Sequence, residues 1–390
     1  MSTMSADLLG QGWARADSAP GMRNHVLALS TVALTDRLTQ LAAAQVDGVL
    51  ALTPGLSRGL RDPDADLQER VLEALIRHPN TGAVLVVVHD APAARRMREK
   101  LADLARPVQV LAFMACHGYA DALDQAVAAL RALRTAASQT PRVPLRLANL
   151  AVALECGGSD ASSAICANPA IGRFVDRLID AGGTAIVSET AEFVGSEAVI
   201  RKQAANDEVA QQILACIARE EAMMAADGQD YRGVNPTAEN IEAGLTTLIE
   251  KTMGAVSKIG QRPIDGCLGF GQAPSRAGLY FMDTPFFSPA SITGMVAAGC
   301  QITLFAMGVF NPSGNPLAPT LKICGNPKTL SVWGESIDVD VSGLIAGTTT
   351  LDAAAGDIAG AIAACIDGER TATERWQEGQ IIIARSLPAL

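Results

Sequence analysis

The sequence predicts an α/β protein whose mainly parallel sheets are flanked by helices, in two or more Rossmann-like units. Three observations carry this expectation. Short apolar runs alternate with amphipathic stretches along the first third. Several runs, such as AVLVVVH, show no polar alternation, as strands buried on both faces do. Aromatic residues make up only 4% and charged residues 18% of the chain, while small and aliphatic residues dominate, which suits helices laid on buried sheets.

Taken in order, HVLALSTVAL reads as a strand, DRLTQLAAAQ as a helix and DGVLALT as the next strand. Residues 67–77 form a helix stopped by HPN, AVLVVVH is a strand, 107–113 another, and 120–137 a helix. The prolines and polar residues of SQTPRVP, at 138–144, predict a boundary between an N-terminal α/β domain, 1–140, and a C-terminal one, 145–390. The second part opens on the strand NLAVALE. Asn168 is then expected to cap a helix, with Pro169 at its first position and Gly182–Gly183 as its stop. TAIVSE is the next strand, 196–226 one long helix, DGQDYRGVNP a polar loop, and a third α/β stretch begins at Ile241.

A length of 390 residues fits two or three domains. The net charge of −10, with no Lys/Arg cluster standing out, argues against nucleic acid as a partner. No basic segment followed by an apolar one opens the chain, and no run of about 18 apolar residues occurs. A soluble, cytoplasmic protein with no membrane partner is expected. Eight scattered cysteines without a CxxC pair suggest neither a zinc clip nor a disulfide framework. The high apolar content points to a homo-oligomer.

Three segments could carry chemistry. Cys156-Gly157-Gly158-Ser159-Asp160 follows a predicted parallel strand, where open α/β sheets place their ligands. Its glycines let backbone approach a ligand, Ser159, Asp160, Ser162 and Ser163 add hydroxyls and a carboxylate, and exposed amides would suit a substrate carboxylate. A plain glycine turn with a capping side chain is the competing reading. Ser188-Glu189-Thr190-Ala191-Glu192, with Glu197 beyond it, gathers carboxylates that either bind a divalent cation or divide into acid and base. Equally, Glu192 and Glu197 would decorate the first turn of a helix. In the third segment Thr246, Thr247, Glu250 and Lys251 lie between apolar, glycine-bounded flanks; Lys251 either neutralises a substrate carboxylate or sits on a solvated helix face. Asp283 and Lys322 are lone charges beside apolar strands, and either would serve as well in an ion pair. His89-Asp90 and Cys116-His117 read as loop residues rather than a metal site.

In order, CGGSDASSAICANPAIG, GGTAIVSETAEFVGSE, AGLTTLIEKTMGAVSKIG, GLYFMDTP and PTLKICGNP resemble the altronate and galactarate dehydratase family, to which the large subunit of sulfolactate sulfo-lyase is also similar. Gly21-Met22-Arg23-Asn24 and His78-Pro79-Asn80 extend the resemblance into the first third. It implies β-elimination from a small anionic hydroxy acid: water or sulfite leaves, and the resulting enol becomes a 2-oxo acid. Such chemistry needs a base, an acid for the leaving group, and stabilisation of an enediolate. The resemblance also implies a divalent metal, Mg, Mn or Fe(II), and no nucleotide cofactor. On this likeness Asp160, Glu189 and Lys251 are the expected catalytic residues. Cys156, Gly157, Gly158, Ser159, Ser162, Asn168, Thr246, Thr247 and Lys322 are expected to bind substrate, and Glu189 and Glu192 to hold the metal.

The departures narrow these expectations. Where the family carries cysteine turns of the kinds GCGQ and GCE, this chain has Thr53-Pro54-Gly55-Leu56 and Val88-His89-Asp90. A polar, arginine-bearing turn is replaced by Phe305-Ala306-Met307-Gly308-Val309-Phe310, which argues for a substrate less hydroxylated than an aldarate. Family enzymes carry a small additional domain or a separate small subunit, so a small partner subunit is a further expectation. Hydrolysis or isomerisation of a small anion, cyclic ones included, stays open, as does a non-catalytic scaffold.

Overall fold

The computed structural model of the protein describes residues 7–55, 58–226, 228 and 235–387. The chain divides into two compact units, one holding Leu145–Gln380 with the residues up to Gly10, the other Gln11–Pro144 with the residues from Ile381. Both are parallel α/β structures, as the apolar runs predicted.

The first strand, β1 (Leu8–Trp13), precedes the sheet of the smaller unit. That sheet consists of β2 (His25–Ser30), β3 (Val49–Leu52), β4 (Thr81–Val88) and β5 (Val108–Ala112), parallel and in the order β3-β2-β4-β5. Every residue of β4 is buried, which is why its sequence shows no alternation. Val26, Ala28, Ala83, Leu85 and Val87 pack against the helices Ala33–Ala43 and Tyr119–Ala137. A further strand, β6 (Arg142–Arg146), pairs with β1 in a two-stranded ribbon.

The larger unit is built on β7 (Ala151–Gly157), β8 (Thr184–Val187), β9 (Ile264–Leu268), β10 (Gly278–Met282), β11 (Ile302–Met307), β12 (Thr320–Cys324) and β13 (Val339–Asp340). The seven strands are parallel and ordered β13-β12-β11-β7-β8-β10-β9. The chain builds outward from β7 on one side, then crosses back to lay β11, β12 and β13 on the other. The strand order thus reverses at β7, the position where such sheets open a crevice beyond their carboxyl ends. Leu154 of β7 lies opposite Val187 of β8, so the CGGSD and SETAE turns leave adjacent strands at one sheet edge.

Two local expectations are corrected. The single helix over 196–226 is two, Glu197–Gln203 and Asp207–Ala225: the Ala205 N–H donates to the Ile264 carbonyl at 2.9 Å, and Asn206 starts the second helix by accepting from the Val209 N–H at 3.0 Å. Asn168 caps nothing, because the helical path already begins at Ala161 and runs through a π-turn, Ser163–Ala167, into Asn168–Asp180. The wide turn accommodates Pro169, which has no N–H to give the preceding turn. Most of the predicted loop DGQDYRGVNP lies outside the described residues.

Candidate active site

At the carboxyl end of β8 the backbone turns sharply through Glu189, which has φ 63° and ψ 77°, the left-handed region that a side chain disfavours. The end of β10 holds it there. The Glu189 N–H donates to the Thr284 hydroxyl at 2.8 Å, the Thr190 N–H to the Thr284 carbonyl at 3.2 Å, and the Thr190 hydroxyl to Asp283 at 2.8 Å. The strained turn aims the Glu189 carboxyl into the protein, where only 1% of the residue is exposed. Backbone strain fixed in this way gathers at functional sites.

Around it lies a cluster that no single motif contains. Glu155 comes from inside β7, Glu192 from the short helical turn Thr190–Phe193, Lys251 from the helix Leu248–Val256, and Lys258 from the turn that continues it. Lys258 donates to Glu192 at 2.7 Å, and Lys251 stands 3.5 Å from the other Glu192 oxygen while donating to Asn235 at 3.0 Å. Ser291 donates to Glu155 at 2.6 Å, and Ser288 to Glu189 at 3.2 Å. Glu189 is also within hydrogen-bonding reach of Glu155 and of Glu192. One oxygen of each of the three carboxyls has no other donor. Bonds between carboxyls need a proton, and three carboxyls balance two ammonium groups when one proton is retained.

The electrostatics agree. Burial, followed by the negative charges of Glu155 and Glu192, pushes Glu189 well above the usual carboxyl range. Burial raises Glu155 to about 7, against the pull of Lys258. Burial pushes Glu192 in the same direction, but Lys258 and Lys251 outweigh it and hold that carboxyl below its usual range. Burial opposes the charge of Lys258, yet the anions around it keep its ammonium above the usual lysine range. Burial and its anionic neighbours thus favour the protonated form of Glu189, the two lysines favour the carboxylate of Glu192, and the Glu155–Glu189 pair titrates as a unit.

A divalent cation does not fit Glu189 and Glu192, the pair expected to hold one. Glu192 already carries two ammonium groups within 3.5 Å, whose charge would repel a cation. Among the described residues no group of three His, Cys, Asp or Glu side chains is arranged around a metal position.

Asp160 stands apart from this cluster. Its carboxylate accepts from the Ser162 hydroxyl at 2.6 Å, the Ser163 N–H at 2.9 Å and the Asn326 amide at 2.6 Å, while the Ser163 hydroxyl accepts from the Asp160 N–H at 3.0 Å. That reciprocal pattern starts the helical stretch after β7 and ties it to the end of β12. Three of the acceptor sites of this carboxylate serve the fold, which also explains the place of Ser162.

The other expected substrate contacts are distributed as follows. Cys156 meets the Ser159 hydroxyl at 3.1 Å and the Asn168 amide at 3.6 Å, and burial raises its thiol to about 11, so it is no nucleophile as it stands. Gly157 and Gly158 make room for the protein itself. The N–H groups of Gly308 and Val309 both donate to the Gly158 carbonyl, at 3.1 and 2.7 Å, and a Cβ on Gly158 would meet the Val309 carbonyl oxygen at 2.0 Å. Thr247 caps the helix of Lys251, and Thr246 donates to Glu250 at 2.8 Å. Lys322 is fully buried, ion-paired with Glu378 and set 4.7 Å from the Phe310 ring, which stacks on Trp333 at 4.3 Å. Of the expected residues, then, the structure brings together Glu189, Glu192 and Lys251. Sequence reasoning missed Glu155 and Lys258. A carboxylate inside the otherwise apolar NLAVALE, and a lysine seven residues after Lys251 on the same helical face, were the signals that could have found them. In the smaller unit a cavity of about 390 Å³ at the ends of β2 and β4 is lined by Thr31, Val88, Arg96 and Lys100 among others, and none of the expected site residues reaches it.

A parallel α/β sheet with carboxyl and ammonium groups buried together at its carboxyl edge defines a class of protein equipped to hold and move protons within one fold. The comparison with known proteins narrows that class. The chain belongs to the altronate and galactarate dehydratase family: residues 147–389 match the family model for the D-galactarate/altronate dehydratase C-terminal domain, and 12–138 that for the D-galactarate dehydratase/altronate hydrolase second domain. It is 31% identical to the (2R)-sulfolactate sulfo-lyase subunit beta of Chromohalobacter salexigens, over 96% of both chains. Altronate dehydratase of Bacillus subtilis is 30% identical over 86% of this chain and 69% of its own length. Galactarate dehydratase of Escherichia coli is 30% identical over 55% and 41% respectively. Among the described residues no helix is long and apolar enough to cross a membrane.

Proposed function

We propose that the protein is a lyase that removes water or another small leaving group by β-elimination from a small carboxylated hydroxy acid. Glu189 carries this reading: a strained, buried, protonated carboxyl has no evident structural purpose, but it is a good proton donor to a leaving group. Glu155, raised to about 7, is matched to accepting the proton next to the substrate carboxylate at neutral pH. The bond between carbon and leaving group then breaks, the electron pair of the carbanion forms the enol double bond, and the enol tautomerises to a 2-oxo acid. The Lys251 and Lys258 ammonium groups offset the developing enediolate charge. Substrate reaches the pair when the segment around Phe286 to Ser288 moves aside, since Ser288 covers Glu189 and the Phe286 ring lies 4.6 Å from Lys251.

The names of the relatives support the reaction class, and the subunit status of the sulfo-lyase relative supports a small partner subunit. A non-catalytic scaffold is the second reading, favoured by burial of the whole cluster. Screening small hydroxy acids, sulfonated ones included, for 2-oxo acid release separates the two. With a substrate in hand, Glu189→Gln should lower kcat at least about a hundredfold without changing the melting temperature. Full turnover in that variant would reject the site.

A further inference from the structure

A pair of thiols in the larger unit takes no part in the chemistry above. Cys216, on the helix Asp207–Ala225, and Cys267, in the edge strand β9, are both half-buried, with their sulfurs 3.9 Å apart. Arg219, one helical turn after Cys216, lies within hydrogen-bonding reach of the Cys216 sulfur and donates to both oxygens of Asp283 at 2.6 Å. Asp283 accepts in turn from the Thr190 hydroxyl at 2.8 Å, the residue that follows Glu189. A short polar path therefore joins the thiol pair to the turn holding the strained carboxyl.

We infer that Cys216 and Cys267 form a dithiol oxidised by peroxides to a disulfide, and that this oxidation loosens the turn carrying Glu189. The division of labour is set by the surroundings. The two sulfurs share one contact that either could donate, but Arg219 is within hydrogen-bonding reach of the Cys216 sulfur and its charge favours the thiolate there. Among the described residues Cys267 has no such cation within hydrogen-bonding reach, so the shared proton rests with it when Cys216 ionises. Cys216 is thus the attacking thiolate and Cys267 the resolving thiol. The Cys216 sulfur attacks one peroxide oxygen; the O–O bond breaks, hydroxide leaves and takes up a proton as water, and Cys216 becomes a sulfenic acid. The Cys267 sulfur then attacks Cys216, the S–O bond breaks, and the hydroxyl leaves with the Cys267 proton as a second water. Two electrons pass from the two thiols to one peroxide. Closing 3.9 Å to a bond of about 2 Å draws the helix toward β9 and shifts Arg219 against Asp283.

The test treats the full-length protein with hydrogen peroxide and counts free thiols after denaturation. The expected fall is from eight to six, with a dithiothreitol-reversible Cys216–Cys267 crosslink in the peptide mass map. Cys267→Ser should stop at a sulfenic acid on residue 216 that dimedone traps, and Cys216→Ser should lose neither two thiols nor give a trapped adduct at Cys267. Hydrogen exchange over residues 188–196 should quicken on oxidation of the wild type but not of Cys267→Ser, a readout independent of any activity. Oxidation falling first on other cysteines, or no crosslink at all, overturns the dithiol. A crosslink with unchanged exchange overturns its coupling to Glu189 and leaves the lyase reading untouched.

Discussion

Glu192→Gln and Glu189→Gln each remove one carboxyl from the same buried cluster, three positions apart, yet their expected costs are far from equal. Glu192 is the counter-charge of Lys258 at 2.7 Å and of Lys251 at 3.5 Å, whose side chains are 1% and 4% exposed. An amide there leaves two ammonium groups buried without an anion, and breaking a buried pair costs about 3–5 kcal/mol. Glu189 is already neutral in the folded protein, so a glutamine reproduces its charge and nearly its shape, and the cost should stay within about 1 kcal/mol. Urea unfolding followed by circular dichroism measures both. In a unit of this size each kcal/mol moves the melting temperature by about 2–4 °C, so Glu192→Gln should melt roughly 10 °C below the wild type and Glu189→Gln should nearly match it. Equal destabilisation by the two variants would mean that Glu189 is ionised, and the charge assignment on which the proposed chemistry rests would fail.

Glu155 predicts a pH dependence. Its pKa is raised on folding to about 7, so its own contribution to stability is greatest below the unfolded carboxyl range and is lost as pH rises toward 7. Glu155→Gln should make the fall in stability shallower by the Glu155 share, of order 3 kcal/mol, and parallel curves for variant and wild type from pH 4.5 to 7 would contradict it. Gly158→Ala should cost well over about 1 kcal/mol in thermal unfolding, because the position has φ 63° and its Cβ would meet a carbonyl oxygen at 2.0 Å. Asp160→Asn should cost about 1–2 kcal/mol, as loss of a cap does, while leaving turnover within about tenfold; a hundredfold loss in a stable variant would return Asp160 to the chemistry.

The parallel sheets were legible because a strand buried on both faces has little room for polar residues, and β4 and β11 are apolar but for Thr81 and Thr303. The break at Ala204 was not, since the apolar pattern runs on through it; Asn206, a good N-cap, was the one local signal, and the bridge to Ile264 in β9 lies far along the chain. Within the candidate site the motifs led to Glu189, Glu192 and Lys251, each beside a strand or helix end. They also led to Asp160, which the structure places apart from that cluster, because a carboxylate that starts a helix and one that accepts a substrate proton look alike in a glycine turn. Lys258 and Glu155 escaped because their partners, Glu192 and Ser291, lie 66 and 136 residues away, and no local periodicity marks such a pairing.

The contact between Gly158 and Val309 has a bearing on engineering. Where the strand order reverses, most doubly wound enzymes keep an open slot; here two amides of the chain plug it, and the buried charges sit one strand over, between β7 and β10. Redesign for bulkier acids would then begin with the stretch after β11, where shortening the backbone at 308–310 would reopen the slot without touching a single ionisable group of the cluster.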